Sequence, residues 1–559
     1  MAPSTSLRAR TQVVINRGRL ISVVLAVALG GIAAIARQNA PTAGSGPRFE
    51  IGFAASARAE PVTGRVYVGI SRTNEREGPV SEAGPTGAPL FSLPVENLAA
   101  GQTVTIGPEA LGHPLKSLRD LPAGEYWVQP FVNVYTKFAR ADGKTVWLHM
   151  DQWEGQDWRQ SPGNLFGDAV RVRVDPASAA PIRLTADKII PPIQAAADNE
   201  YVKRIKIQSQ ILTRWWGHPI FLGAVVLLPK DYAAHPDVKY PIVYSQGHFS
   251  LASPGGFDGR DSTFRTYWLA DGTPRVLYVT LQHPSPYYDD SYGVNSANNG
   301  PFGDAILQEL IPAVESAFRV IREPWARRLT GGSTGGWIAL AHQIFYPDFY
   351  GGTFALCPDS VDFRYHQIVN IYQDANAYWL ERDWMKIERP NQRRPDGNIQ
   401  SMMKDENWYE LVVGDRSRSG GQWDIWEATY GPAGDDGYPK RIWDKTTGVI
   451  DKSVAEYWRE HFDLRHILET NWTTLGPKVA HKINVYIGDM DSYYLNMGVR
   501  MLDEFVKQRA KDPPFTGEIV FQPMAPHCWG PRNQELFGKI VAHIEKHAPA
   551  GADLKSWRH

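Results

Sequence analysis

The sequence predicts an α/β protein with a mostly parallel sheet and a large insertion, preceded by an all-β, sandwich-like domain. Short β-type runs recur between turn signals over the first third of the chain, and strands alternate with helical periods after it. At 559 residues the chain also exceeds what one compact core accommodates.

Residues 1–45 stand apart. Arg8, Arg10, Arg17 and Arg19 precede the apolar run "LISVVLAVALGGIAAIA", from Leu20 to Ala36, which ends on the small-residue pattern Ala34-Ile35-Ala36. Basic, then apolar, then small residues make a secretory signal peptide. The run's 17 residues sit at the low end of spanning length, so cleavage is expected over retention as an N-terminal membrane anchor. Either outcome places the protein outside the cytoplasm, secreted or periplasmic.

Residues 46–180 carry "FEIGFAAS", "GRVYVGISR", "QTVTIG", "GEYWVQPFVNVYTKF", "TVWLHM" and "AVRVRVDP", the spacing of an antiparallel sandwich. The Ala- and Pro-rich tract from Asp175 to Asp198 reads as a linker, with the boundary near Pro181. Over 181–559 the strands "FLGAVVLLP", "YPIVYSQGH" and "RVLYVTLQH" lead to "GDAILQELIPAVESAFRVI". There Ala305, Ile306, Leu310, Ile311, Val314 and Phe318 recur at helical spacing. The strand "RRLT", the helix "WIALAHQIFY" and the strand "GGTFALCPD" follow. An insertion over about 360–478 is far longer than a crossover helix needs and is expected to form a cap. The chain closes with "KINVYIGD", "NMGVRMLDEFVKQRA", "GEIVFQP" and "NQELFGKIVAHIEKHA", strand and helix in alternation.

A net charge of -1 gives no electrostatic reason to expect nucleic acid as a partner. Two cysteines rule out a disulfide framework and a Cys-rich metal site. Asp289 and Asp290 lack the ligand spacing of a calcium loop, so no metal or cofactor is expected.

In a parallel α/β sheet the working residues belong on loops at the C-terminal strand ends. Gly331-Gly332-Ser333-Thr334-Gly335 lies there, between an apolar strand and an apolar helix. Glycine and serine are ordinary turn residues, but strand, sharp turn and helix together are the context of a nucleophile elbow. A serine hydroxyl needs a histidine to take its proton and a carboxylate to orient that histidine. "GEIVFQP" runs into "MAPHCWG", which puts His527 just past a strand end, whereas His543 and His547 fall within the closing helix. "INVYIG" runs into Gly488-Asp489-Met490-Asp491, where Asp491, clear of the strand, is favoured over Asp489. Serine, acid and histidine then follow the chain order of an α/β-hydrolase. An oxyanion would take the Thr334 N–H and a second donor from Gln246-Gly247-His248-Phe249. Gly247 lets the backbone approach there, and His248 is one choice among neighbours.

"YPIVYSQGH", "GPFGDAILQELIPAVESAFRVI", "RLTGGSTGGWIALAHQIFYPDFYGG" and the Gly-x-x-Asp plus His ending together resemble the esterase family that includes esterase D, feruloyl esterases and enterochelin esterases. The likeness spans roughly residues 205 to 545 apart from the insertion. It implies an α/β-hydrolase fold, Ser333, Asp491 and His527 as the triad, and hydrolysis of carboxylic esters. The family's usual oxyanion stretch has His before Gly; here Gly247 precedes His248.

The expected function is that of an exported serine esterase acting through an acyl-enzyme on a small-molecule or polysaccharide-linked ester. The alternatives are a peptidase or acyltransferase with the same triad, and an inactive surface-binding protein. The Trp- and Tyr-rich insertion suits sugar or aromatic-acyl recognition, or simply a core of its own. The loop His283–Asp304 is a candidate substrate wall, and Tyr287, Asn298 and Trp337 are candidate substrate contacts. Cys357 and Cys528 approach the same rim of the sheet, either bridged or as two buried thiols.

Overall fold

Val62–Ser71 is buried at all but one position, as a strand with neighbours on both edges and cover on both faces must be. It pairs antiparallel with Leu90–Leu98 on one side and Gly124–Ala139 on the other, at the centre of an eight-stranded sheet. The computed structural model describes residues 46–559 except 76, 179 and 195; the expected targeting segment, 1–45, lies outside the described residues. A three-stranded sheet faces the first: Phe49–Phe53 runs parallel to Ile182–Ala186 and antiparallel to Thr103–Ile106. Phe49, Ile51, Val66, Val68, Val132 and Leu184 fill the space between them.

Two readings of this region change. Leu90–Leu98 is a strand despite Pro94 and Asn97, which mask its pattern in the sequence. The N-terminal sheets also extend past Pro181. Ile182–Ala186 buries Leu184 and Ala186 and exposes Arg183 and Thr185, a two-residue period that holds it on the Phe49 strand, and Lys188–Ile189 pairs with Leu165–Phe166.

The larger sheet is numbered in chain order: β1 Val202–Ser209, β2 Ile220–Leu227, β3 Ile242–Gln246, β4 Leu277–Gln282, β5 Arg327–Gly332, β6 Thr353–Leu356, β7 Ile483–Gly488 and β8 Glu518–Gln522. Its spatial order is β1-β2-β4-β3-β5-β6-β7-β8, with β2 antiparallel to both neighbours and β3 to β8 parallel. This is an α/β-hydrolase-like sheet. β3 and β7 are buried along their whole length because helices cover both faces, which is why they read as unbroken apolar runs. α1, Thr334–Phe345, is enclosed almost entirely. The helix expected from the Ala305–Phe318 spacing runs from Phe302 to Ala317 and contains a π-turn at Ile306–Leu310. Among the described residues no helix is long and apolar enough to cross a membrane.

Between β6 and β7 the chain makes two hairpins and five helices, among them α2, Met403–Val413, and α3, Gln422–Tyr430. Trp426, Tyr430 and Trp458 pack there around Phe363 and His366. Part of the insertion's aromatic content is therefore its own core.

The β-sandwich grips α2 by its end. The last carbonyls of a helix have no partner within it. Arg65 and Ser92 donate to the Val412 carbonyl, and Tyr67 donates to that of Val413 at 2.6 Å. A buried guanidinium at a helix C-terminus also faces the negative end of the dipole. Trp408 in turn donates to the Gly112 carbonyl at 2.8 Å.

Arg65→Met should strip donors from the α2 terminus and destabilise the protein by about 1–3 kcal/mol, measured as a lower thermal midpoint. Arg183→Ala, which breaks only an exposed pair with Glu50, should leave the midpoint unchanged.

Candidate active site

β5 ends at Gly332 and α1 begins at Thr334, so Ser333 alone makes the turn, with φ 57° and ψ −124°. That is a costly backbone for a residue with a side chain, and it persists only where the surroundings impose it. The Ser333 N–H donates to the Leu356 carbonyl at 3.1 Å, and its carbonyl accepts from Trp337 and Asp359. A Cβ on Gly335 would run into the Gln246 carbonyl of β3, and one on Gly331 into the carbonyl of Gly335. The flanking glycines are a steric requirement of this crossing.

The turn lifts the Ser333 hydroxyl towards His527, whose Nε2 lies 3.0 Å from Oγ. His527 Nδ1 lies 2.7 Å from Oδ2 of the fully buried Asp491. The other Asp491 oxygen accepts from the N–H groups of Tyr493 and Leu495 at 2.9 and 3.3 Å. Asp489 takes a different part: its carboxylate accepts from the Met524 N–H at 2.6 Å and fixes the loop. His543 is remote, bonded to the His481 carbonyl.

Cys357 and Cys528 form a disulfide with Cα atoms 4.9 Å apart. It ties the end of β6 to the residue beside His527, and Cys357 Sγ lies 3.2 Å from the Ser333 nitrogen. The pair of free thiols is thereby excluded.

Thr334 opens α1, so its N–H is one of the groups a helix start leaves without an internal partner. Gly247 follows β3 directly, and His248 lines the same cavity as Ser333. His248 Nδ1 lies 3.0 Å from Asp289 and 3.3 Å from Asp290. Burial lowers the imidazole's pKa, but the two carboxylates outweigh it and hold it well above the ordinary histidine range. Among the described residues this trio brings ligand atoms within 4.8 Å of one another, and its imidazole is ion-paired with both carboxylates.

The cavity measures about 510 Å³. α2 supplies Glu406, Tyr409 and Glu410 to its wall, α3 supplies Gln422, Trp423 and Trp426, and Tyr493 packs edge-on against His527 at 4.9 Å. The expected contacts Tyr287, Asn298 and Trp337 do not line it. All three are fully buried. Tyr287 sits in the core beside Trp216, Asn298 donates to the carbonyls of Ala428 and Gly431 at the end of α3, and Trp337 packs between Tyr292 and Tyr430. The loop that carries Tyr287 and Asn298 is a support behind the cavity rather than its wall, and Trp337 belongs to the enclosed α1.

Sequence reasoning missed Asp359. Its Oδ1 lies 3.3 Å from Ser333 Oγ. Its Oδ2 accepts from Tyr292 at 2.5 Å, Thr334 Oγ1 at 3.2 Å, Trp426 at 3.3 Å and Gln422 at 3.4 Å. Burial raises its pKa, and these donors with the two nearby histidines offset only part of the rise. The signal was available: Asp359 follows β6 at a C-terminal strand end, where site residues gather.

Residues 222–431 match the sequence profile of the family described as "Putative esterase". The matched stretch includes Ser333 and Asp359 and stops short of Asp491 and His527. No curated protein matches the chain. Among solved structures, the chain is similar to a ferulic acid esterase at 15% identity, over 62% of this chain and 99% of that one, with a TM-score of 0.35. It is also similar to an S-formylglutathione hydrolase from Staphylococcus aureus at 12% identity, over 61% and 98% of the two chains, with a TM-score of 0.33.

Gly335→Ala should force β3 and α1 apart and cost about 3 kcal/mol or more, with loss of the folded state by circular dichroism or a sharply lowered thermal midpoint. The neighbouring Gly247, whose Cβ would meet nothing within 4 Å, should tolerate alanine without loss of the fold.

Proposed function

We propose that the protein is a serine hydrolase of carboxylic esters that works through an acyl-enzyme. The observation that carries this reading is the bonded chain Ser333 Oγ, His527, Asp491 at the C-terminal edge of the sheet. Ser333 Oγ attacks the ester carbonyl carbon while its proton passes to His527 Nε2. Asp491 accepts the Nδ1–H, which fixes the tautomer and stabilises the imidazolium. The carbonyl π electrons move to oxygen, and the oxyanion takes hydrogen bonds from the Thr334 N–H and the Gly247–His248 turn. As the tetrahedral intermediate collapses, the C–O bond to the alcohol breaks and His527 returns its proton to the leaving oxygen, leaving the acyl group on Ser333. Water then attacks in the same way, with His527 as base, and frees the acid and Ser333.

In this reading the insertion is a cap: α2 and α3 narrow the cavity around the ester and limit water. The β-sandwich braces the cap through Arg65 and Tyr67. Residues 1–45 act as the export signal, and a disulfide beside His527 suits the oxidising compartment to which export leads. The partner is then a small-molecule or polysaccharide-linked ester.

Ser333→Ala should lower kcat/KM on a short acyl ester by about 10³-fold or more and abolish labelling by a fluorophosphonate probe while the fold is retained. Asp491→Asn should lose about 10⁴-fold, and Asp489→Asn far less. Retained turnover in Ser333→Ala, or preferred cleavage of the matching amide, would overturn the reading.

A further inference from the structure

Asp359 takes no part in the steps above, yet it is the second hydrogen-bond neighbour of the nucleophile. Its two oxygens are used unequally. Oδ2 is crowded by four neutral donors, whereas Oδ1 has Ser333 Oγ alone. A carboxylate accepts about four hydrogen bonds, so Oδ1 keeps acceptor capacity on the side of the reacting atoms. Among the described residues neither Asp359 nor Glu406, the other acid on this wall, is in an ion pair; Glu406 has only the neutral partners Ser401 and Asn391.

An unpaired carboxylate beside the nucleophile opposes the reaction, because negative charge develops a few ångströms away in the transition state. The nearby histidines relieve it only in part. His248 is shared by Asp289 and Asp290, and Lys445, behind the wall, by Glu410 and Asp424. The missing charge is left for the substrate to bring.

We propose that the acyl group of the substrate carries a protonated amine on the carbon next to the scissile carbonyl, and that this ammonium binds Asp359 Oδ1. The substrate class is then the esters of α-amino acids. This deepens the ester reading and rests on it. The leaving alcohol must face His527 Nε2, which protonates it, so the acyl side falls to the other neighbour of Oγ, Asp359. The distances close. In an α-aminoacyl group the nitrogen lies about 2.5 Å from the carbonyl carbon. With that carbon about 3–3.5 Å from Oγ at attack and a charged hydrogen bond of about 2.8 Å, the nitrogen reaches Oδ1, itself 3.3 Å from Oγ. Glu406 adds to the negative potential of the wall. The ammonium thus neutralises Asp359 and holds the carbonyl at the nucleophile in one contact.

The test compares kcat/KM of the full chain for alanine methyl ester, N-acetylalanine methyl ester and methyl propionate at pH 6.5, where the free amine is protonated. The alanine ester is expected to exceed both neutral esters at least tenfold, and Asp359→Asn to bring the alanine-to-propionate ratio near one whatever its absolute activity. A wild-type ratio at or below one, a ratio unchanged in Asp359→Asn, or faster turnover of an acetylated sugar overturns the proposal. Should Asp359→Asn fail to fold, inhibition of wild-type p-nitrophenyl acetate hydrolysis decides: alaninamide is expected to bind at least tenfold tighter than propionamide, and equal binding overturns the proposal. Fluorophosphonate labelling separates the two readings. A labelled Ser333 without amine preference sinks only the substrate class, whereas an unlabelled Ser333 sinks the ester reading itself.

Discussion

The close crossing of β3 and the Ser333 turn sets the rest of the site. Gln246 carries its carbonyl against Gly335, and Gly331 lies under the Gly335 carbonyl, so backbone meets backbone with no room for a side chain. That contact forces Ser333 into φ 57° and places the first N–H groups of α1 beside the turn that follows β3. Candidate nucleophile and candidate oxyanion donors are thus fixed by one steric event. Local strain at the serine is held by the ladder bonds of β3, β5 and β6 around it.

Distant segments are brought to this turn by three kinds of tether. Parallel pairing lines up the ends of β7 and β8, which deliver Asp491 and His527 from 36 residues apart in sequence. The disulfide holds the histidine loop against the end of β6. The β-sandwich secures the far wall, for Arg65, Ser92 and Tyr67 satisfy the carbonyls that end α2, the helix bearing Tyr409 and Glu410. The N-terminal sheets are therefore structural partners of the cavity as well as a body with a core of their own.

Charge around the cavity follows the same logic of partners. His248 is held positive because two carboxylates face it, and Lys445 is buried because Glu410 and Asp424 compensate it. Among the described residues Asp359 is in no ion pair, and its neutral donors with the two nearby histidines offset only part of the rise that burial gives its pKa. The asymmetry between its crowded and open oxygens is a property of four side chains from three separate segments.

Much of the layout was written locally. Apolar runs, helical periods and the Gly-x-Ser-x-Gly turn reveal a parallel sheet, the serine and the strand-end histidine, because these depend on residues adjacent in sequence. For the acid the sequence favours Asp491 over Asp489 because it is clear of β7, but which carboxylate meets His527 depends on a loop 36 residues on. Tyr287, Asn298 and Trp337 were misread because polarity and aromatic character do not reveal which way a side chain faces, and packing turned all three inward. The choice of a disulfide over two thiols at the rim shared by Cys357 and Cys528, the grip of Arg65 on α2 and the gathering of Tyr292, Gln422 and Trp426 onto Asp359 belong to tertiary structure alone. Each joins residues more than sixty positions apart, where no local period or propensity reaches and only the packing of sheet against insertion determines who meets whom.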